Sequence, residues 1–115
     1  MANTFKVVTT ANVTSADVIY TVGSSTTTVV LGIMVGNTTT SQVTATLSLG
    51  SDTGNRAGAN DEANQTVELV TNAPIPAGGS LELLAGNKVV METTDTLSLT
   101  ASGSSDIALS IMEIT

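Results

Sequence analysis

The sequence contains no cysteine and no histidine, and only three of its 115 residues are cationic and two aromatic. Without cysteine the chain can form neither a disulfide nor a zinc-thiolate site, and thiol redox chemistry is excluded. Histidine is the side chain used most often for general acid-base catalysis, so its absence removes many hydrolytic and group-transfer mechanisms. We therefore predict no catalytic residue, no bound cofactor and no enzymatic activity.

Positive charge is scarce, because Lys6, Arg56 and Lys88 face ten acidic residues and leave a net charge of −7. Three scattered cations cannot form the basic stripe that nucleic-acid phosphates require, and an anionic membrane would repel this chain. The sequence thus predicts neither a nucleic-acid partner nor a membrane partner. Charged residues make up 11% of the chain, against about 25% in an average soluble domain. A hydroxyl- and amide-rich surface of this kind is easier to desolvate and to cover with neighbouring proteins.

The length favours one domain that spans residues 1–115 and has a single core. Because Phe5 and Tyr20 are the two aromatic residues, that core must be packed from Val, Leu, Ile, Met and Ala. The N-terminus has no basic segment followed by an apolar one, so we expect no secretory signal and synthesis in a cytoplasm.

Short apolar segments separated by turn residues predict an all-β fold, a two-sheet antiparallel β-sandwich or jelly roll of eight or nine strands. Residues 1–10 fit an N-terminal arm or an edge strand, and residues 50–65 form a long unpatterned segment that we expect to be an exposed loop. Residues 73–79 hold both prolines and end in Gly-Gly, which indicates a rigid corner between two sheets. The predicted strands are residues 4–10, 18–22, 26–37, 42–49, 66–72, 80–84, 88–92, 96–101 and 106–114.

Residues 29–35 are the longest apolar run and predict the central strand. By alternation, Val29, Leu31, Ile33 and Val35 should face the core. The opposite side would then carry Val30, Gly32 and Met34, which are apolar where a solvent-facing side should be polar. We expect that side to be covered by the N-terminal arm or by another subunit. We also predict that strand 26–37 and strand 42–49 form a hairpin.

Oxygen-bearing side chains cluster in residues 50–65, and the weak metal-ligand candidates there are Asp52, Asp61 and Glu62. Their spacing does not match the EF-hand loop. A plain acidic loop explains them equally well, so no metal site is predicted. The candidates for contact with a partner protein are Phe5, Val30, Gly32, Met34, Asp61 and Glu62.

Several segments together resemble the small virion structural proteins of tailed bacteriophages, especially phages of marine cyanobacteria. The segments are IYTV at residues 19–22, STTTVVLG at 25–32, APIPAG at 73–78, LLAGNK at 83–88 and LSIMEI at 109–114. The resemblance covers most of the chain, and residues 50–65 are its variable part.

The resemblance implies a non-enzymatic component of the mature particle, made in the host bacterial cytoplasm and located in the virion. Within it we favour a capsid decoration or cement protein, which would be a homo-oligomer and bind the major capsid protein or other virion proteins. Two alternatives remain, a ring protein of the neck, collar or tail, and an adhesion module that binds host-surface glycans. Scarce aromatic residues count against glycan binding, since sugars are usually stacked on Trp or Tyr.

Overall fold

The computed structural model describes residues 2–51, 65–83 and 87–115, and all regular structure in these ranges is β-strand. No helix there is long and apolar enough to cross a membrane. The nine strands are β1 (Asn3–Val13), β2 (Ala16–Thr21), β3 (Thr27–Asn37), β4 (Val43–Ser51), β5 (Gln65–Ile75), β6 (Ser80–Leu83), β7 (Val89–Met91), β8 (Thr96–Ala101) and β9 (Ser105–Ile114).

The strands form two antiparallel sheets that face each other. The first sheet has the order β1-β9-β3-β6, and β7 pairs with β3 at the same side as β6 but further along the strand. The second sheet has the order β2-β8-β4-β5. This alternation of strands between two four-strand-wide layers is the jelly-roll arrangement. The prediction of an all-β, two-sheet sandwich is therefore confirmed.

The core lies between the sheets and is aliphatic, as the composition required. Alternate residues of each strand point inward, which is the periodicity that a half-buried strand imposes. The largest fully buried hydrophobic side chains are Leu47, Ile75, Met91, Leu97, Leu99, Leu109 and Ile111.

A β-bulge in β3 changes which of its residues face the core. The pairing of β3 with β9 shifts between Val30 and Gly32, and an extra residue in one strand reverses the alternation beyond it. Val30 is buried before the bulge, whereas Ile33 and Val35 are buried after it. The predicted inward face is therefore correct for Ile33 and Val35 and wrong for Val29 and Leu31. Val30 is a core residue at 1% exposure and not a partner contact.

The predicted hairpin of β3 and β4 is wrong, because the two strands belong to different sheets. The chain crosses between the layers after Asn37, whose side chain is buried. The Nδ2 group of Asn37 donates to the carbonyl oxygens of Ser41, Ile75 and Pro76 at 2.7, 3.0 and 3.1 Å. These three hydrogen bonds hold the buried Asn37 amide in place. The chain after Asn37 therefore crosses to the second sheet and does not turn back beside β3 in a hairpin.

The proline-rich segment connects the sheets as predicted. β5 belongs to the second sheet and β6 to the first, with residues 76–79 between them. The N–H of Gly79 donates to the carbonyl of Pro76 at 2.9 Å, and Gly78 has a φ of 69°. Pro74 is tolerated within β5 because that strand is at the edge of its sheet.

The N-terminal segment is an edge strand, one of its two predicted forms. β1 pairs with β9 and extends the first sheet sideways. It therefore does not fold over the outer side of β3, and the expectation that an arm covers that side is wrong. The expectation of an exposed loop at residues 50–65 falls mostly on residues 52–64, outside the described residues.

Candidate interaction surface

The outer side of the first sheet carries apolar side chains in register across four strands. One row runs Phe5–Met112–Val29–Val90, from β1 through β9 and β3 to β7. The next rows are Val7–Ser110–Gly32 and Thr9–Ala108–Met34. We call these ten residues, eight of them apolar and two, Thr9 and Ser110, with hydroxyl side chains, the apolar face. Strand and residue spacings make it about 15 Å by 20 Å, or on the order of 300 Å².

Several members of the apolar face are open to solvent. Phe5 is 72% exposed, Val7 67%, Val90 59% and Met34 47%. The two central strands of the second sheet differ, because their outer side carries hydroxyl side chains at Thr46, Ser48, Ser98 and Thr100. Beside them, Val18 on β2 is an exposed hydrophobic residue. Both outer sides belong to the same chain, so general composition does not explain the difference. The largest apolar patch on a typical monomer is about 300–600 Å² and is often functional.

Gly32 and Gly36 lie on the outer side of β3, before and after Met34. A Cβ atom built on either glycine would have no atom of the described residues within 4 Å, and neither glycine has a positive φ. Thus neither packing among the described residues nor a positive φ requires glycine at these two positions. Glycine within a strand costs about 0.5–1 kcal/mol relative to alanine and often marks a close approach by another molecule.

A groove of about 360 Å³ borders the apolar face. The lining residues on β3 and β9 are Met34, Gly36 and Ala108, and those on β1 are Thr9 and Ala11. The Asp106 carboxylate adds an acidic group, and one of its oxygens accepts the N–H of Asn12 at 3.0 Å. The groove therefore combines an apolar floor with one anionic side.

A polar cluster lies on the inward side at the opposite end of β1 and β9. Glu113 Oε1 is 2.7 Å from Lys6 Nζ, and its Oε2 accepts the Tyr20 hydroxyl at 2.5 Å. The Tyr20 hydroxyl is also 2.8 Å from the Thr28 hydroxyl. The Lys6 ammonium, and then the Tyr20 hydroxyl, lower the pKa of Glu113. Burial, and then the bond to Glu113, raise the pKa of Tyr20. Because Tyr20 belongs to the second sheet, the cluster ties the two sheets together.

The predicted contact residues separate into three groups. Phe5, Gly32 and Met34 lie together on the apolar face, whereas Val30 is buried and Val29 takes the outer position. Asp61 and Glu62, together with the metal candidate Asp52, lie outside the described residues. Within the described residues there is no group of three acidic side chains that could hold a metal ion.

Seven members of the apolar face did not enter the predicted set, namely Val7, Thr9, Val29, Val90, Ala108, Ser110 and Met112. Val7 shares the alternation of Phe5, so the sequence pattern alone could have found it. Val90 and Met112 join the face through cross-strand register, which no local pattern encodes.

Comparisons with known proteins give a fold and no family. No protein-family model matches the chain, and no curated protein does. A mutant VP2 capsid protein of infectious bursal disease virus, solved as T=1 particles, matches with a TM-score of 0.51 and 8% identity over 96% of this chain and 31% of that chain. A structure of the Gx strain of the same virus matches with a TM-score of 0.50 and 10% identity over 96% and 36%.

A third structure, of the disulfide-linked pili of Bacillus endospore appendages, matches with a TM-score of 0.45 and 14% identity over 99% of this chain and 87% of that one. The chain spans about a third of the length of the two viral chains. At these identities the two viral matches show a shared β fold, one that occurs in a viral capsid protein.

Proposed function

We propose that this protein is a non-enzymatic structural component of a phage particle, a decoration protein that binds the outside of the capsid shell through the apolar face. The single observation that supports this most strongly is the row Phe5–Met112–Val29–Val90. Such a surface is suited to a protein neighbour. The fold shared with the VP2 capsid protein is compatible with a place in a virus shell, and the phage resemblance of the sequence supports the same role.

The charges beside the apolar face indicate the chemistry of the shell surface that would bind it. Glu82 pairs with Met34, and Asp106 pairs with Gly36, so acidic groups border one end of the face. The whole chain carries a net charge of −7. We therefore expect an apolar capsid surface with Lys or Arg at its rim. Rim charges of this kind act mainly on the association rate, so high salt should slow binding.

A binding assay with capsid shells that lack this protein tests the proposal. Met34→Glu places a charge in the apolar face and should abolish binding while the protein stays folded. Val67→Glu is the matched control, because Val67 is 48% exposed against 47% for Met34 but lies on β5 of the second sheet. Equal binding by the two variants would contradict the proposal.

Copy number per particle separates shell decoration from the neck or tail alternative. A decoration protein should be present in hundreds of copies, whereas a cyclic ring needs about a dozen or fewer. Quantitative mass spectrometry of purified virions, scaled to the major capsid protein, gives the number. A count near a dozen would contradict shell decoration.

A further inference from the structure

The sandwich has sheet edges with unequal protection against pairing with other strands. β6 and β7, which share one edge, have four and three residues. At the edges of the second sheet, β5 contains Pro74 and a positive φ at Asn72, and the pairing of β2 shifts between Val18 and Tyr20. Short strands, prolines, bulges and charged side chains are the usual means of preventing edge-to-edge association.

Over its regular part β1 has none of the first three protections and one charged side chain. Its residues 3–10 pair with β9 without a register shift, contain no proline and carry one charge, on Lys6. Lys6 is paired with Glu113. Within the described residues no other strand pairs with β1. A long edge strand whose one charge is paired within the chain is a template for pairing with another strand.

The pairing with β9 shows which backbone groups of β1 are free. Ala2 and Thr115 exchange two hydrogen bonds, of 3.0 and 2.9 Å, so they form a hydrogen-bonded pair. Such pairs alternate along an antiparallel ladder. The backbone groups of Thr4, Lys6 and Val8 therefore point to β9, and those of Asn3, Phe5, Val7 and Thr9 point to the open edge. Phe5 and Val7 are also members of the apolar face.

We infer that β1 pairs antiparallel with β1 of a second copy of this chain, about a two-fold axis at Val7. Extended geometry ends before Asn12, which has a φ of 58°, so residues 3–11 can pair and Val7 is their midpoint. In this register Val7 is opposite Val7 of the second copy, and Phe5 is opposite Thr9. A shift of the axis to Lys6 would place two ammonium groups opposite each other, which is unfavourable.

The occupant is a second copy because two β1 edges related by a two-fold axis present matching backbone donors and acceptors to each other. β1 contains no acidic side chain, so two such edges can approach although each chain is strongly acidic. A two-fold axis perpendicular to the sheet keeps both apolar faces on the same side. It joins them into one surface on the order of 600 Å². For the proposed contact with the capsid shell, this is closer than the face of one copy to the roughly 800 Å² that each partner buries in a stable interface.

The absence of cysteine allows a direct test in solution without any capsid. Val7→Cys should form a disulfide-linked dimer under mild oxidation, because the Cα atoms of a hydrogen-bonded antiparallel pair are about 5.5 Å apart, within disulfide range. Val90→Cys is the matched control, since Val90 is 59% exposed on the same side of the sheet and Val7 is 67% exposed. We expect dimer formation at least tenfold faster for Val7→Cys. Equal rates would overturn the inference, whatever the result of the capsid assay.

A second pair of variants tests the backbone pairing itself. Val7→Pro removes an N–H that points to the open edge and leaves the hydrogen bonds to β9 intact. Val7→Thr is a control that retains the N–H. By analytical ultracentrifugation, wild type and Val7→Thr should show a concentration-dependent monomer–dimer equilibrium, and Val7→Pro should remain monomeric. A monomeric wild type, or a dimeric Val7→Pro, would contradict β1 pairing, and the cysteine assay stays informative if Val7→Pro does not fold.

Discussion

Phe5 lies directly opposite Met112 on the outer side of the first sheet, in a pair whose β1 member is 72% exposed. Cross-strand pairs of this type stabilise a sheet by roughly 0.2–1 kcal/mol. A phenylalanine that remains mostly in water contributes little more to the fold. Its apolar surface is instead available to a partner.

Phe5→Thr should therefore separate stability from binding. We expect the free energy of unfolding, measured by urea denaturation, to change by less than about 1 kcal/mol, whereas binding to capsid shells should weaken. Leu109→Ala is the comparison, because Leu109 is fully buried on the inward side of β9. It should lose about 2–5 kcal/mol. A large stability loss in Phe5→Thr would mean that the apolar face belongs to the fold itself.

The glycines on the outer side of β3 give a prediction of opposite sign for stability and binding. Gly36→Ala should raise the free energy of unfolding by up to about 1 kcal/mol, since its new methyl group meets no described atom. The same methyl group should reduce binding to shells at least tenfold if a partner approaches the strand closely. Thermal unfolding and co-sedimentation with shells measure the two effects.

Gly103→Ala is the control for this prediction. Its Cβ atom would lie 2.7 Å from Cγ1 of the buried Val43. We expect it to destabilise the fold by about 1–3 kcal/mol and to leave binding by the folded protein unchanged. Unchanged binding by Gly36→Ala would show that no close approach occurs at that position.

The sequence pattern predicted the layers of this fold better than the connections between them. Strict alternation in β4 and β8 was enough to assign their inward faces, because one side of each strand is aliphatic and the other is Thr or Ser. In β3 both sides are apolar, so alternation could not reveal the bulge after Val30. The crossing after Asn37 depends on acceptors that include Ile75, which is distant in sequence. Long-range contacts of this kind leave no local signal.

The pKa of Glu113 predicts a specific acid sensitivity. Because pairing with Lys6 lowers this pKa below its ordinary value of 4.5, the folded state binds a proton here more weakly than the unfolded state. The resulting stabilisation is present above about pH 4.5 and is lost as the pH falls through the folded-state pKa. Between pH 6 and about pH 3, the thermal midpoint of wild type should fall more than that of Glu113→Gln. Parallel pH profiles would contradict a stabilising role for the pair.

The side chain of Asn37 should be among the most important polar groups for stability. It donates to three carbonyl oxygens, and its Oδ1 accepts the N–H of Thr39 at 2.9 Å. Asn37→Ala leaves these groups without their partner at a buried crossing, so we expect a loss of about 2–4 kcal/mol in urea denaturation. Thr38→Ala removes an exposed hydroxyl that donates to Ser104 at 2.9 Å and should cost about 0.5–1 kcal/mol. Equal losses for the two variants would mean that another contact holds the crossing between the sheets.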